Sequence, residues 1–117
     1  MTATISKTEF LTESLLEQIN ERWWIDMIDS GHPYAYKAFL TVGRKYYKVM
    51  VCDVTSKDGE YNSRAGGRVF MFIDKETGAC YKPAGLNKPA KGIRFYIDQL
   101  ADQPEIVDPY GSFLYRR

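Results

Sequence analysis

VFMFIDKETGACYKPAGLNKPAKGIR, residues 69–94, decides the fold. In its opening run Val69, Met71 and Ile73 alternate with Phe70 and Phe72. Both faces are therefore apolar, the pattern of a central strand covered on both sides. Residues 75–78 (KETG) read as a turn, with Gly78 at a position that needs left-handed backbone. Residues 79–82 return as a short strand, and Pro83 stops it. Residues 85–92 read as loop. Ile93, Tyr96, Ile97 and Leu100 then recur at helical spacing and predict a short helix ended by Pro104.

Outward from this stretch, the preceding segment reads as a hairpin. Residues 35–42 and 45–54 are rich in aromatic and β-branched residues, with Gly43-Arg44 as a two-residue turn of type II′. Between this hairpin and the central strand lies a polar, glycine-containing stretch, residues 55–67, expected to be a mobile loop. Further upstream, Leu16, Ile19, Trp23 and Met27 mark one face of an amphipathic helix. Ser14 with Glu17 fits a capping box, Thr12 is an alternative cap, and Gly31 before Pro33 marks the stop. Residues 1–10 read as a frayed terminus and residues 105–117 as an aromatic, basic tail. The expectation is one α+β domain over residues 1–117. It is a four-stranded antiparallel meander with an N-terminal amphipathic helix and a short C-terminal helix.

Composition narrows the function. With 117 residues, 44% of them apolar, the chain suits one domain able to bury a core without staples. No apolar run approaches a membrane span, and the N-terminus has no secretory pattern, so a cytoplasmic protein with no membrane partner is expected. The single histidine, His32, and two separated cysteines, Cys52 and Cys80, leave no metal-ligand cluster. Phosphate-loop, nucleophile-elbow and dinucleotide fingerprints are missing. Asp74 and Glu76 could pair for acid–base or metal chemistry, but their place at a turn gives them structural work. The chain reads as a non-enzyme with no cofactor.

Charge is uneven although the net value is only +1. Residues 1–31 hold six acids against two bases, and residues 64–94 hold seven bases against two acids. Arg44, Lys45 and Lys48 cluster at the first hairpin, and Lys82, Lys88, Lys91 and Arg94 follow the second. Tyr46 and Tyr81 lie among them. Cations for phosphates with aromatic faces for bases make a common single-strand surface, so nucleic acid is the expected partner. Arg94 is expected in the first turn of the last helix, where free N–H groups favour an anion. The structural alternative is tyrosines packed flat on a sheet and lysines guarding exposed edges. The functional rival is a protein-interaction module, directed at a host factor or defence system or forming a homo-oligomer or virion part. It would be anchored by Trp24 or by Tyr110, Phe113 and Tyr115.

Three runs carry a resemblance: RKYYKV (residues 44–49), FIDKETGACYKPA (72–84) and PAKGIR (89–94). Together they resemble a family of small uncharacterised proteins of tailed bacteriophages, patterned RKY.K(I/V), F(I/V)DK.TG..YK.A and PAK..R. The chain departs from that family in its longer 55–67 insertion, in PAGLNK before PAK, and in its helical N-terminal third. The resemblance implies a viral accessory protein. It also implies a shared surface that includes Arg44, Lys45, Tyr46, Lys48, Asp74, Lys75, Thr77, Gly78, Tyr81, Lys82, Lys88, Lys91 and Arg94.

Overall fold

The computed structural model describes residues 6–55 and 67–115. The expected 55–67 loop lies almost wholly outside them. The architecture is α+β. Helix α1 (Lys7–Met27) precedes strands β1 (Tyr34–Val42), β2 (Tyr46–Thr55), β3 (Arg68–Asp74) and β4 (Ala79–Tyr81). A small ribbon of β5 (Pro83–Gly85) and β6 (Lys88–Pro89) follows, then β7 (Phe95–Tyr96), helix α2 (Ile97–Asp102) and two 3-10 turns. The main sheet is antiparallel with order β1-β2-β3-β4-β7. It therefore has five strands where four were expected.

Helix α1 starts two turns earlier than Ser14. Its cap is Ser6, whose hydroxyl accepts from the Glu9 N–H at 3.1 Å. The Ser-x-x-Glu spacing occurs twice in this segment, and the earlier copy wins because Thr8 and Thr12 extend the buried face. The Thr12 hydroxyl donates to the Thr8 carbonyl at 2.7 Å, which satisfies it in the interior. At the other end Gly31, at φ +95°, donates to the Ile28 carbonyl and His32 N–H to the Met27 carbonyl, both at 2.9 Å. That pair of bonds closes the helix as a Schellman stop, as Gly31 led one to expect.

The helix also deals with the sheet's edge. The Asn20 amide donates to the Ala38 carbonyl (2.8 Å) and accepts from the Ala38 N–H (2.7 Å), occupying one outward-facing pair on edge strand β1. Trp23 and Trp24 then part company. Trp23 joins the main core with Val49, Val51, Phe70 and Met71. Trp24 packs with Ala35, Cys52 and Val54, which strand alternation puts on the opposite face of the sheet. The tandem tryptophans thus straddle the edge.

Two local features depart from strict alternation. Val49 pairs with Met71 and Met50 with Val69, so Phe70 is an extra, unpaired residue in β3. This bulge turns Phe70 to the same face as Met71, where it meets Trp23 edge-on at 6.1 Å and Phe113 at 5.8 Å. The expectation that Phe70 and Phe72 share a face is therefore corrected. In the first hairpin the closing bond runs from Gly43 N–H to Tyr46 carbonyl at 2.9 Å, which puts Arg44 and Lys45 at the tip. Gly43 does not have positive φ, so the type II′ expectation also fails. A Cβ on Gly43 would sit 3.0 Å from the Tyr46 carbonyl oxygen, and that close approach is the reason for glycine.

The KETG turn forms as expected. Asp74 Oδ1 accepts from Glu76 N–H (2.8 Å) and Thr77 N–H (3.0 Å), and the Gly78 N–H donates to the Asp74 carbonyl at 2.9 Å. Beyond Pro83 the chain is more ordered than a loop. Residues 83–89 form the ribbon, and Phe95–Tyr96 pairs with β4 instead of opening a helix. Ile93 is exposed. The expected tail folds inward, with Phe113 and Leu114 each 1% exposed in the core.

Candidate nucleic-acid interface

The sheet face away from the main core carries Lys48, Phe72, Tyr46 and Tyr81. Lys48 pairs with Phe72 across β2–β3, and Phe72 with Tyr81 across β3–β4. Tyr46 meets Phe72 edge-on at 5.9 Å and Tyr81 at 6.0 Å. Burial, with the Asp74 carboxylate nearby, pushes the Tyr81 phenol up. Phe72 itself is buried.

The ribbon tip leans towards this face. Lys48 Nζ donates to the Leu86 carbonyl at 3.0 Å and to Asn87 Oδ1 at 2.8 Å. Between the ribbon tip and the hairpin tip runs a groove of about 460 Å³. Thr41, Val42, Met50 and Phe72 supply its apolar and neutral lining, and Arg44, Lys45 and Lys48 its charge. No carboxylate among the described residues lines it. Lys45 also lies over the Tyr46 ring, 5.4 Å from its centroid.

A second, shallower depression adjoins the hairpin tip and is mixed in charge: Arg44, Lys45 and Lys75 with Asp74 and Glu76. Burial works to raise the Asp74 carboxyl. Hydrogen bonds from Thr77 and Glu76, together with the Lys45 charge, outweigh it and hold the group below its ordinary value. Asp74 is occupied by its own turn.

Of the expected site residues, Arg44, Lys45, Tyr46 and Lys48 come together in the groove, and Tyr81 stands beside Tyr46. The rest do not join them. Lys82 turns to the C-terminal side, with its Nζ 4.7 Å from the Tyr115 ring centroid. Lys88 and Lys91 are exposed on and after the ribbon and do not line the groove. Arg94 precedes β7 and donates its N–H to the Cys80 carbonyl at 2.8 Å. It lies three residues before α2, not in its first turn, so the expected anion site at that helix N-terminus is not formed. Its Nε is buried with no hydrogen-bond partner among the described residues.

Asn87 and Phe72 are groove residues that sequence reasoning did not single out. The signal for Asn87 is a Gly-Leu-Asn run between Pro83 and Pro89, a turn composition within the stretch that reads as loop. Among the rival's anchors, Phe113 is in the core and Trp24 is half-buried, while Tyr110 and Tyr115 are 71% and 59% exposed. Cys52 and Cys80 are free, buried thiols, and burial pushes the Cys80 thiol strongly up. Among the described residues no group of three or more His, Cys, Asp or Glu is placed to hold a metal ion. Nor is any described helix long and apolar enough to cross a membrane.

A family model described as a family of unknown function, DUF7717, matches residues 2–116, and the chain belongs to that family. No curated protein and no solved structure matches it.

Proposed function

We propose that this DUF7717 member is a nucleic-acid-binding protein that works without catalysis and uses the hairpin–ribbon groove as its contact surface. The observation that carries this reading is the groove's charge. Arg44, Lys45 and Lys48 line it, and no acid among the described residues does. Cations converging on a concavity attract a phosphate backbone, and displacement of its counterions supplies affinity. The bacteriophage resemblance extends the reading to a viral accessory protein acting in the cytoplasm of its host.

The test is fluorescence anisotropy with labelled DNA and RNA at low salt, on the parent and on Arg44→Ala/Lys45→Ala. The parent binds and the double variant weakens binding by about tenfold or more, each lost phosphate contact removing a counterion-release contribution. A Lys82→Ala/Lys91→Ala control, outside the groove, changes binding much less. A parent that binds no nucleic acid at low salt overturns the proposal, and a protein partner anchored on Tyr110 and Tyr115 becomes the reading to pursue.

A further inference from the structure

We infer that the groove takes a single-stranded segment, not a duplex, and that Asn87 is the residue that positions Lys48 for it; this rests on the reading above. The first ground is shape. The cations surround a concavity of about 460 Å³ instead of lying along a flat or convex face. That volume is in the range of pockets for compact organic ligands, and one nucleotide falls within it. A duplex keeps its bases paired inside and offers a convex row of phosphates, which meets the exposed Arg44 and Lys45 at the hairpin tip more readily than the half-buried Lys48. An unpaired nucleotide can enter with its base as well as its phosphate.

The second ground is the lining. Met50 and Tyr46 come from the sheet itself, over a floor closed by the buried Phe72. Apolar and aromatic groups next to cations suit a ligand that is planar and apolar at one end and anionic at the other. A backbone phosphate alone gains nothing from them.

The third ground is Lys48. Its ammonium has three donors, and two are spent on neutral acceptors, the Leu86 carbonyl and Asn87 Oδ1. Neither acceptor cancels the charge. The side chain is therefore held in place with its full positive charge and one N–H left for a ligand. A free lysine loses much rotamer freedom when it binds a phosphate, and here the ribbon tip has already removed it. Asn87 thus positions a binding group without being one of the charges counted by salt.

The experiment uses labelled oligothymidylate of twelve nucleotides and a mixed-sequence duplex of the same length, titrated across salt. The parent is expected to bind the single strand about tenfold or more tightly than the duplex. Asn87→Ala leaves all cations in place, so single-strand affinity drops by about three- to tenfold with the salt slope unchanged. Asn87→Asp keeps an acceptor but neutralises Lys48, so affinity drops and the slope flattens by about 0.7. Equal binding of duplex and single strand, or an Asn87→Ala variant equal to the parent, overturns this inference and leaves the nucleic-acid reading standing. A parent that binds neither probe overturns both. Asn87 is exposed at a ribbon tip, so these variants do not threaten the fold.

Discussion

Replacing Gly78 with alanine tests whether the shared DKETG run belongs to the fold. Gly78 sits at φ +78°, and a Cβ there would lie 2.8 Å from Ile97 Cγ2. Ile97 is 3% exposed, and its N–H donates to the Gly78 carbonyl at 2.8 Å, so neither partner is free to withdraw. Left-handed backbone costs a residue with a Cβ about 1–2 kcal/mol. Forcing a methyl group into packed surroundings adds about 1–3 kcal/mol. A less flexible unfolded chain returns about 0.4–1 kcal/mol. The net expected loss is about 1–4.5 kcal/mol. Gly92 is the control. It lies at φ +98°, and a Cβ there would meet nothing within 4 Å, so Gly92→Ala carries only the backbone cost. Urea denaturation followed by tryptophan fluorescence measures both, with the difference between variants isolating the contact with Ile97. If Gly78→Ala costs no more than Gly92→Ala, the argument from close packing is wrong.

Asn20→Ala strips the cover from the Ala38 N–H and carbonyl and should cost about 1–3 kcal/mol by the same urea titration. A neutral result would mean that water serves that edge as well as the amide does. For Asp74→Asn the sign follows from the lowered carboxyl. A carboxylate depressed in the folded state contributes stability above its unfolded value, and that contribution is lost as pH falls through the folded value. The variant should therefore be less stable than the parent at pH 7, by on the order of 1 kcal/mol or less at this solvent-screened turn. The gap should close as pH drops below about 4. A gap that is constant with pH would assign the effect to geometry instead of charge.

Elements whose signals are local were legible in the sequence. The Gly31 stop, the Asp74–Gly78 turn and the apolar β3 each depend on residues within a few positions of one another. What escaped depends on partners distant in the chain. Ser6 outcompetes Ser14 as a cap because Thr8 and Thr12 find a tertiary surface to bury against. The bulge that turns Phe70 towards Trp23 and Phe113 leaves no mark in the VFMFID alternation. Two-residue β7 is strand only because β4 is there to pair with it. The site divided in the same way. Arg44, Lys45, Tyr46 and Lys48 follow one another in sequence and share one hairpin tip. Lys82, Lys88, Lys91 and Arg94 were grouped with them by proximity to the second turn, yet the ribbon and β7 send them in different directions. Asn87 meets Lys48 across 39 positions of sequence, a contact only the folded chain reveals.

The most direct measurement of the groove's role is the slope of log affinity against log salt for a labelled single strand. It is taken on the parent and on Arg44→Ala/Lys45→Ala/Lys48→Ala. Each phosphate contact on a single strand contributes about 0.7 to that slope, so three lost contacts should flatten it by about 2. A slope that stays at the parent's value in the triple variant would contradict the account, because the phosphates would then be held somewhere else.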